Sequence, residues 1–424
     1  MGAILLKDIS VDGQQKDILI RKGLIDKIGP AGACASWELF GDIEIMDCSR
    51  KHAVPGFVNM HTHSPMTLMR GLGEDIAFHE WLRRIWDVEA RIDREYVYWA
   101  SMVACLEMIK TGTTTFNDHY WHFTSSIQAA SDMGLRIATG YDLMDKGNKE
   151  ESERQMRQCE EKSAGFLEGG HGTLTYQLAA HAIYSVSEEM LLWAKEFTQK
   201  HGIKLHIHLS ETEKEVTDCR KAHGGLSPVQ YLDSLGMLSP NLIAAHTLWV
   251  DDKDIELLGS RGVHCVHNIN SNTKLASGYR FRYNELRDAG ANICLGTDGC
   301  ASSNNLDMLE AMKTAALFQK SWRNDPSAMP LQELMDMATL NGARALGFNG
   351  GRIAEGAVAD ICIVDTDNTF FLSGGSFLAN FVYSAHSDCI DSVICNGRFL
   401  MRKREVAGEK EILAEARKVL SKLA

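Results

Sequence analysis

Two histidines one residue apart end an apolar run in the first quarter of the chain. His61 and His63 close the segment "AVPGFVNMHTH". Residues i and i+2 of a β-strand point to the same side, so the two imidazoles converge on one point. Converging imidazoles suit a first-row metal ion. For an isolated pair, hydrogen-bonded histidines at a strand end are the commoner case, and the rest of the chain has to decide.

Three further apolar runs end in residues of the same kinds. "KLHIHLSE" carries His206 and His208 on one face with Glu211 beyond them, "AAHTL" ends a strand at His246, and "LGTDG" places Asp298 before a glycine. An Asp before Gly is a common turn former, and a lone strand-end His is often a satisfied polar group. Three of these strand ends thus carry histidines and the fourth carries an aspartate. Turn formation alone hardly explains this combination.

These strand ends together predict one metal site. His61, His63, His208 and Asp298 form a set of three imidazoles and one carboxylate, typical of a catalytic zinc or iron with a position left for water. His206 is expected to be structural, because a strand end offers one ligand toward the axis. A metal in such a site lowers the pKa of water toward 7, which allows hydrolysis at neutral pH.

The elements that position these residues alternate between strands and helices from residue 53 onward. Eight apolar runs with polar ends are separated by helical stretches, several of which end in glycine. The pattern predicts an α/β fold, a closed (β/α)8 barrel of TIM type with its functional groups at the C-terminal strand ends. A doubly wound open sheet is the alternative, but only closure gathers the four polar ends around one centre.

Short strands at both chain ends predict a second domain. We expect residues 1–54 to form the N-terminal part of a small β-sandwich domain, residues 55–350 the barrel, and residues 351–424 the rest of the β domain plus a terminal helix.

Composition narrows the class of protein. The 424 residues are 45% hydrophobic and 24% charged, as in soluble globular proteins, and no apolar stretch is long enough for a transmembrane helix. The net charge of −12 argues against nucleic acid or a membrane as partner and leaves a small-molecule substrate. Eleven cysteines without a Cys-x-x-Cys pair, and a start unlike a signal peptide, predict a cytoplasmic protein with reduced thiols.

The motifs resemble those of the amidohydrolase superfamily over nearly the whole chain. The Pro-Gly-Phe-x-x-x-His-x-His signature stands as "PGFVNMHTH", the later His, His and Asp follow in order, and the flanking "DILIRKGLIDKIG" and "GRIAEGAVADICIVD" are also similar. The resemblance implies one divalent metal per subunit, with zinc as the default and iron or manganese as alternatives. It also implies a homo-oligomer.

Strand four points to one branch of that superfamily. Binuclear members usually end this strand with a carboxylated lysine, whereas "YQLAAHAIYS" has His181 and no lysine. The chain therefore resembles the mononuclear deaminases, and "HSPMTLMRGLGEDIAFHEWL" and "TDGCASSNNLDM" are similar to the deaminases of adenosine derivatives. In that subgroup Asp298 would also move the proton from water to the leaving amine, Glu211 would protonate the ring nitrogen, and His246 would orient the attacking water.

The resemblance also implies substrate contacts by Trp81, Glu89, His181 and Glu211. Trp81 would cover the base or ribose, Glu89 would bind ribose hydroxyls, and His181 would contact the base or sugar. The structural alternatives are a core aromatic for Trp81, a solvated helix carboxylate for Glu89 and a first-turn helix acid for Glu211.

One departure concerns the tail of the nucleoside. Homocysteine-type deaminases carry an Arg after strand three, where "RIATGYDLMD" offers Tyr141. Arg154 and Arg157 follow, and the sequence leaves open whether either contacts substrate. An adenine ring is thus better supported than a carboxylate tail.

Three functional hypotheses remain from the sequence. The first is an aminohydrolase of adenosine-type nucleosides, such as S-adenosylhomocysteine, methylthioadenosine, 5′-deoxyadenosine or adenosine. The second is an aminohydrolase of a free heterocycle, such as guanine, 8-oxoguanine, a pterin or an s-triazine; a ribose contact by Glu89 would disfavour it. The third is a barrel that has lost catalysis and serves in assembly, which the complete ligand set disfavours.

Overall fold

The structure is a computed structural model that describes residues 2–37, 42–168 and 172–423. Its strands are β1 (Ala3–Val11), β2 (Gln14–Arg21), β3 (Leu24–Pro30), β4 (Ile43–Asp47), β5 (Lys51–Pro55), β6 (Phe57–Thr62), β7 (Thr113–Asp118), β8 (Arg136–Leu143), β9 (Leu174–Ala182), β10 (Leu205–Leu209), β11 (Leu242–His246), β12 (His264–His267), β13 (Asn292–Leu295), β14 (Ile361–Asp365), β15 (Ile390–Cys395) and β16 (Arg398–Met401).

The helices lie mainly between the strands of the middle region. They are α1 (Phe78–Glu89), α2 (Arg94–Lys110), α3 (Phe123–Met133), α4 (Lys149–Leu167), α5 (Glu188–His201), α6 (Glu213–Ala222), α7 (Pro228–Ser234), α8 (Asp252–Ser260), α9 (Ile269–Lys274), α10 (Tyr283–Asp288), α11 (Cys300–Ser303), α12 (Met308–Arg323), α13 (Leu331–Ala338), α14 (Leu340–Leu346), α15 (Phe377–Tyr383) and α16 (Glu409–Ser421). Within the described ranges, no helix has the length and apolar character needed to cross a membrane.

The predicted barrel is confirmed. Strands β6 to β13 pair in sequence order, each parallel to the next, and they coincide with the eight apolar runs of the sequence. Side chains join the last strand to the first, since Asn59 Nδ2 donates to Thr297 Oγ1 at 2.7 Å and Thr297 N donates to Asn59 Oδ1 at 3.1 Å. The main chain also crosses this seam, where Asp298 N donates to the carbonyl of His61 at 2.9 Å. The sheet is therefore closed, as the polar strand ends predicted.

The second domain is also confirmed as a product of both chain ends. Its eight strands form one mixed sheet in the order β16-β15-β14-β5-β1-β2-β3, with β4 beside β1. The chain enters the barrel between β5 and β6 and leaves it before β14, and the exact division at residues 54/55 and 350/351 stays a prediction.

Local sequence explains why the barrel helices begin where they do. Helix α2 begins after Asp93, α5 after Ser187 and α6 after Thr212, and each of these side chains accepts a hydrogen bond from a free amide of the first turn. Helix α5 ends at Gly202, whose φ of 64° is the left-handed conformation that glycine tolerates best. These caps fix where the three helices begin and where α5 ends.

Candidate active site

The predicted metal ligands meet at the C-terminal end of the barrel. His61 lies in β6 and His63 just beyond it, His208 lies in β10, and Asp298 follows β13. Asp298 Oδ1 is 3.4 Å from His61 Nε2 and 3.2 Å from His63 Nε2. His208 Nε2 is 3.3 Å from His63 Nε2. The four side chains are buried or nearly so, and the seam that closes the barrel brings the first and last of them together.

Backbone carbonyls fix the tautomers of two of these histidines. His63 Nδ1 donates to the carbonyl of His119 at 2.5 Å, and His208 Nδ1 donates to the carbonyl of His181 at 2.7 Å. With Nδ1 of each ring occupied in this way, Nε2 of His63 faces both Nε2 of His208 and Oδ1 of Asp298. His61 Nε2 is also buried without a hydrogen-bond partner. The donor set therefore fits a divalent metal ion, with the carbonyls orienting its ligands.

His206 lies behind His61, away from the other ligands. Its Nε2 is 3.0 Å from His61 Nδ1, and Gln177 Nε2 is 3.4 Å from its other ring nitrogen. A hydrogen bond at His61 Nδ1 leaves the Nε2 of that ring for the metal, which is the usual arrangement around a ligating histidine.

The backbone at several strand ends is left-handed. Asp298 has a φ of 62°, His246 a φ of 74° and Ser210 a φ of 53°, and none of the three is glycine. Such conformations cost about 1–3 kcal/mol each and persist where their surroundings hold them. Asp298 N is held by the carbonyl of His61, and Ser210 N donates to Glu215 at 2.9 Å. The strain turns the side chains at these strand ends toward the common centre.

Glu211 and Asp298 have opposite acid–base character. Burial and the negative charges of Asp298 and Glu215 raise the pKa of Glu211 well above its ordinary value. Burial alone would also raise the pKa of Asp298, but hydrogen bonds and charge interactions with His61 and His63 hold it well below the ordinary value. The surroundings therefore favour the protonated form of Glu211 and the ionised form of Asp298.

His246 can donate a hydrogen bond into the same space. Asn272 Nδ2 lies 3.0 Å from His246 Nδ1 and donates to it, which leaves the proton of the neutral ring on Nε2. His246 Nε2 is 3.8 Å from Glu211 Oε2. Burial lowers the pKa of His246 to about 4, so the ring is neutral at physiological pH.

A pocket with an aromatic and apolar wall opens onto these groups. Its lining includes the four residues predicted to contact substrate, Trp81, Glu89, His181 and Glu211. The apolar part of the wall is formed by Met66, Phe78, Trp81, Leu82, Ile85 and Trp86. A planar ring system fits such a wall, with the polar groups at one end.

Three of these four residues have different surroundings. Trp81 Nε1 donates to the carbonyl of Ala301 at 3.0 Å, which fixes the indole. His181 Nδ1 is 2.7 Å from Ser185 Oγ, and burial lowers the pKa of this ring to about 3. Glu89, the last residue of α1, has a pKa raised to about 7 by burial, and the neighbouring Tyr120 and Trp121 offset part of that shift.

Besides residues of the apolar wall, sequence reasoning missed five residues that line the pocket, namely His119, Tyr120, Trp121, Asp142 and Tyr184. His119 directly follows β7, so the strand-end pattern that singled out the other histidines would have found it. Asp142 lies inside β8, where no strand-end signal marks it.

The arginines considered for a substrate tail lie outside the pocket. Arg154 and Arg157 are both on α4, where they pair with Glu151 and Glu153 and are half or more exposed. Tyr141 Oη donates to Gln158 at 3.0 Å, so it also belongs to the packing around α4.

Comparisons with known proteins agree with this geometry. A 5′-deoxyadenosine deaminase of Methanoregula boonei is 45% identical over 88% of this chain and 84% of its own length. A 5-methylthioadenosine/S-adenosylhomocysteine deaminase of Archaeoglobus fulgidus is 42% identical over 89% of this chain and 90% of its own. The crystal structure of an adenosine deaminase from Xanthomonas campestris with bound zinc matches with a TM-score of 0.90 and 29% identity, over 99% of this chain and 98% of that one. The amidohydrolase family model matches residues 53–400, and the chain belongs to the amidohydrolase family.

Proposed function

We propose that this enzyme hydrolytically deaminates an adenosine-type nucleoside and releases ammonia. The candidates are adenosine, 5′-deoxyadenosine, methylthioadenosine and S-adenosylhomocysteine. One observation carries the chemistry: Glu211, whose surroundings favour its protonated form, and Asp298, whose surroundings favour its ionised form, face the same aromatic pocket. The names of the relatives that are 45% and 42% identical support the substrate class.

His61, His63, His208 and Asp298 would hold one divalent metal, for which we propose zinc. Three imidazoles and a carboxylate suit zinc, and the solved relative from Xanthomonas campestris contains it. When bound, the metal would act as a Lewis acid that makes water a nucleophile at neutral pH.

The protein groups would then move the protons of the reaction. Glu211 donates its proton to the ring nitrogen beside the amino-bearing carbon, so that this carbon accepts the attacking oxygen. Asp298 takes a proton from water and delivers it to the departing amine, which leaves as ammonia, and the proton that remains on the attacking oxygen returns to Glu211 as the ring carbonyl forms. His246 donates its Nε2 proton in a hydrogen bond to the attacking oxygen and orients it.

The pocket wall would hold the rest of the nucleoside. Trp81 covers one face of the bound molecule, and its fixed indole loses little freedom when substrate binds. His181 contacts the base or sugar, and Glu89 accepts hydrogen bonds from ribose hydroxyls. A free heterocycle offers Glu89 no ribose hydroxyls, and for this reason we favour a nucleoside.

The test is ammonia release by zinc-loaded enzyme on a panel of substrates. The panel contains the four adenosyl compounds, guanine, 8-oxoguanine and a triazine. Turnover of the adenosyl compounds, lost in His61→Ala, is the expected result. Turnover of free heterocycles alone would reject the nucleoside assignment and the roles of Glu89 and Trp81.

A further inference from the structure

Asp142 is a pocket residue for which the proposed ring chemistry has no use. It lies in β8, and it lines the pocket together with Glu89 from α1. The two carboxylates are close enough for the charge of Asp142 to contribute to the raised pKa of Glu89. Two neighbouring carboxylates are costly to bury unless hydrogen-bond donors or positive charge meet them.

His119 holds Asp142 in place. His119 Nε2 donates to Asp142 Oδ1 at 3.0 Å, and the two side chains are only 1% and 4% exposed. Within the described part of the chain, Asp142 Oδ2 accepts no hydrogen bond. One carboxylate oxygen is therefore fixed by the protein, and the other is left for a group in the pocket.

No lysine or arginine faces this carboxylate from the described part of the pocket wall. The described residues that line the pocket include neither lysine nor arginine. The ammonium of Lys146 lies 4.3 Å from the centre of the Trp86 ring, but Lys146 itself is exposed and outside the lining. Asp298 belongs to the proposed metal site and Glu211 to the proposed ring chemistry, so the lining carboxylates that remain for the rest of the substrate are Asp142 and Glu89.

We propose that Asp142, positioned by His119, determines specificity for the sugar end of the substrate. It accepts a hydrogen bond from an uncharged or cationic donor and repels an anionic group, so that the preferred substrates are nucleosides whose 5′ substituent carries no negative charge. This inference rests on the proposed nucleoside deamination and narrows its substrate class. Unit charges within one partly buried pocket interact strongly enough to change kcat/KM roughly ten- to a hundredfold.

A charge series at the 5′ position tests the proposal. The compounds are 5′-deoxyadenosine, the cationic 5′-amino-5′-deoxyadenosine and the anionic adenosine 5′-carboxylate. For the wild-type enzyme we expect kcat/KM for the anion to be at least about tenfold below that for 5′-deoxyadenosine. Asp142→Asn should raise the anion-to-neutral ratio about tenfold and lower the cation-to-neutral ratio.

The matched control is Asp87→Asn, which removes the same charge from an exposed position of α1 outside the pocket. We expect it to leave both ratios within about twofold of wild type, because exposed charges are screened by solvent. His119→Gln should shift the ratios in the same direction as Asp142→Asn, through KM more than kcat. If Asp142→Asn does not fold, Asp142→Ser makes the same measurement, and metal content reports an intact site.

Two results would contradict the inference about Asp142 without contradicting the proposed function. One is normal turnover of 5′-deoxyadenosine with ratios that Asp142→Asn leaves unchanged. The other is a wild-type enzyme that accepts the anion as well as the neutral compound and loses it in Lys146→Met, which would make Lys146 the recognition group. If metal-loaded wild type deaminates none of the compounds nor adenosine, the proposed function has failed and the inference fails with it.

Discussion

Glu211 and Asp298 face the same pocket, yet their surroundings shift their pKa values in opposite directions. Glu211 is buried beside two other carboxylates, which disfavours a further negative charge, whereas Asp298 lies beside the imidazoles of His61 and His63, which favour its ionised form. Two carboxylates separated in this way can serve as acid and base at one pH. The two carboxylates thus differ in acid–base role because of their surroundings and not because of residue type.

Removing the proton of Glu211 should abolish most of the activity. We expect Glu211→Gln to lower kcat about 10²- to 10⁴-fold, because the amide cannot transfer a proton to the ring. Metal content should stay at the wild-type level, since Glu211 is not a proposed ligand. Ammonia release and metal analysis measure the two quantities.

The control for this variant is Glu213→Gln. Glu213 is exposed at the start of α6, two residues from Glu211, so its substitution should change kcat less than about twofold. Near-normal turnover by Glu211→Gln would show that another group protonates the ring.

Glu89 should give substrate binding a pH dependence near neutrality. Burial raises its pKa to about 7, so it is protonated below that pH and ionised above it. The ionised carboxylate accepts stronger hydrogen bonds from ribose hydroxyls, and kcat/KM should therefore rise as pH increases through about 7. The measurement is a pH profile of kcat/KM for 5′-deoxyadenosine in wild type and Glu89→Gln.

Glu89→Gln should lack this rising limb, because the amide does not titrate. A limb that survives unchanged in Glu89→Gln would assign the titration to another group. A matched Glu95→Gln variant, at an exposed position of α2, should keep the wild-type profile.

At the scale of elements, the sequence predicted the barrel strands because each is a short apolar run that ends in a polar residue. The rule identified all eight barrel strands, and it singled out His61, His63, His208 and Asp298, which the structure brings together. It works because parallel strands all end at one rim of the barrel. The roles given to these residues stay predictions.

Contacts made only in space escaped the same reasoning. The hydrogen bond between His119, just after β7, and Asp142 in β8 joins neighbouring segments, and nothing in either segment alone marks the two residues as partners. The carbonyls that orient His63 and His208 belong to the main chain, which every residue has. Such groups become visible only when the register of the strands is known.

Strand β10 carries a histidine that should support the metal from behind. His206 Nε2 lies 3.0 Å from His61 Nδ1, and partners of this kind set the orientation and basicity of a ligand. We expect His206→Leu to weaken metal affinity about 10- to 100-fold. Competition with a chromophoric chelator measures the affinity directly, without an activity assay.

Two variants complete this experiment. His264→Leu removes another buried histidine, from β12, where it contacts the carbonyl of Pro240, and should leave metal affinity unchanged. His206→Gln keeps a hydrogen-bonding group and should recover part of the affinity. Equal affinities for His206→Leu and wild type would contradict the supporting role.

At the scale of the whole molecule, a buried ion pair joins the barrel to the β domain. Arg136 begins β8, and its Nε lies 3.5 Å from Oδ2 of Asp360, which precedes β14. The guanidinium also lies 4.6 Å from the centre of the Phe348 ring, and Asp360 Oδ1 accepts a hydrogen bond from Asn396 N at 2.6 Å. Arg136 and Asp360 are both almost completely buried, so neither can turn to water if the other is lost.

The homo-oligomer expected from the family is a separate property of the whole molecule and stays a prediction. Analytical ultracentrifugation of the pure protein measures it directly.

Breaking the Arg136–Asp360 pair should destabilise the whole molecule more than breaking an exposed pair. We expect Arg136→Met to cost about 3–5 kcal/mol, because it leaves the Asp360 carboxylate buried without a counter-charge. The double variant Arg136→Met with Asp360→Asn should recover much of this loss, since the buried charge is then gone as well. The Tm values of wild type, Arg136→Met, Asp360→Asn and the double variant, measured by calorimetry, form a double-mutant cycle. The Tm of Arg136→Met should lie roughly 5–10 °C below that of wild type.

The exposed pair Arg261–Asp233 serves as the comparison. Its atoms are 2.9 Å apart, closer than in the buried pair, but the Arg261 side chain is 52% exposed. Solvent screens such a pair, so Arg261→Met should cost less than about 1 kcal/mol in spite of the shorter distance. If the two arginine variants lower Tm equally, burial does not govern the strength of the link between the domains. If Arg136→Met is the more damaging and the double variant recovers, the contact between barrel and β domain depends on charge compensation in a site that water cannot enter.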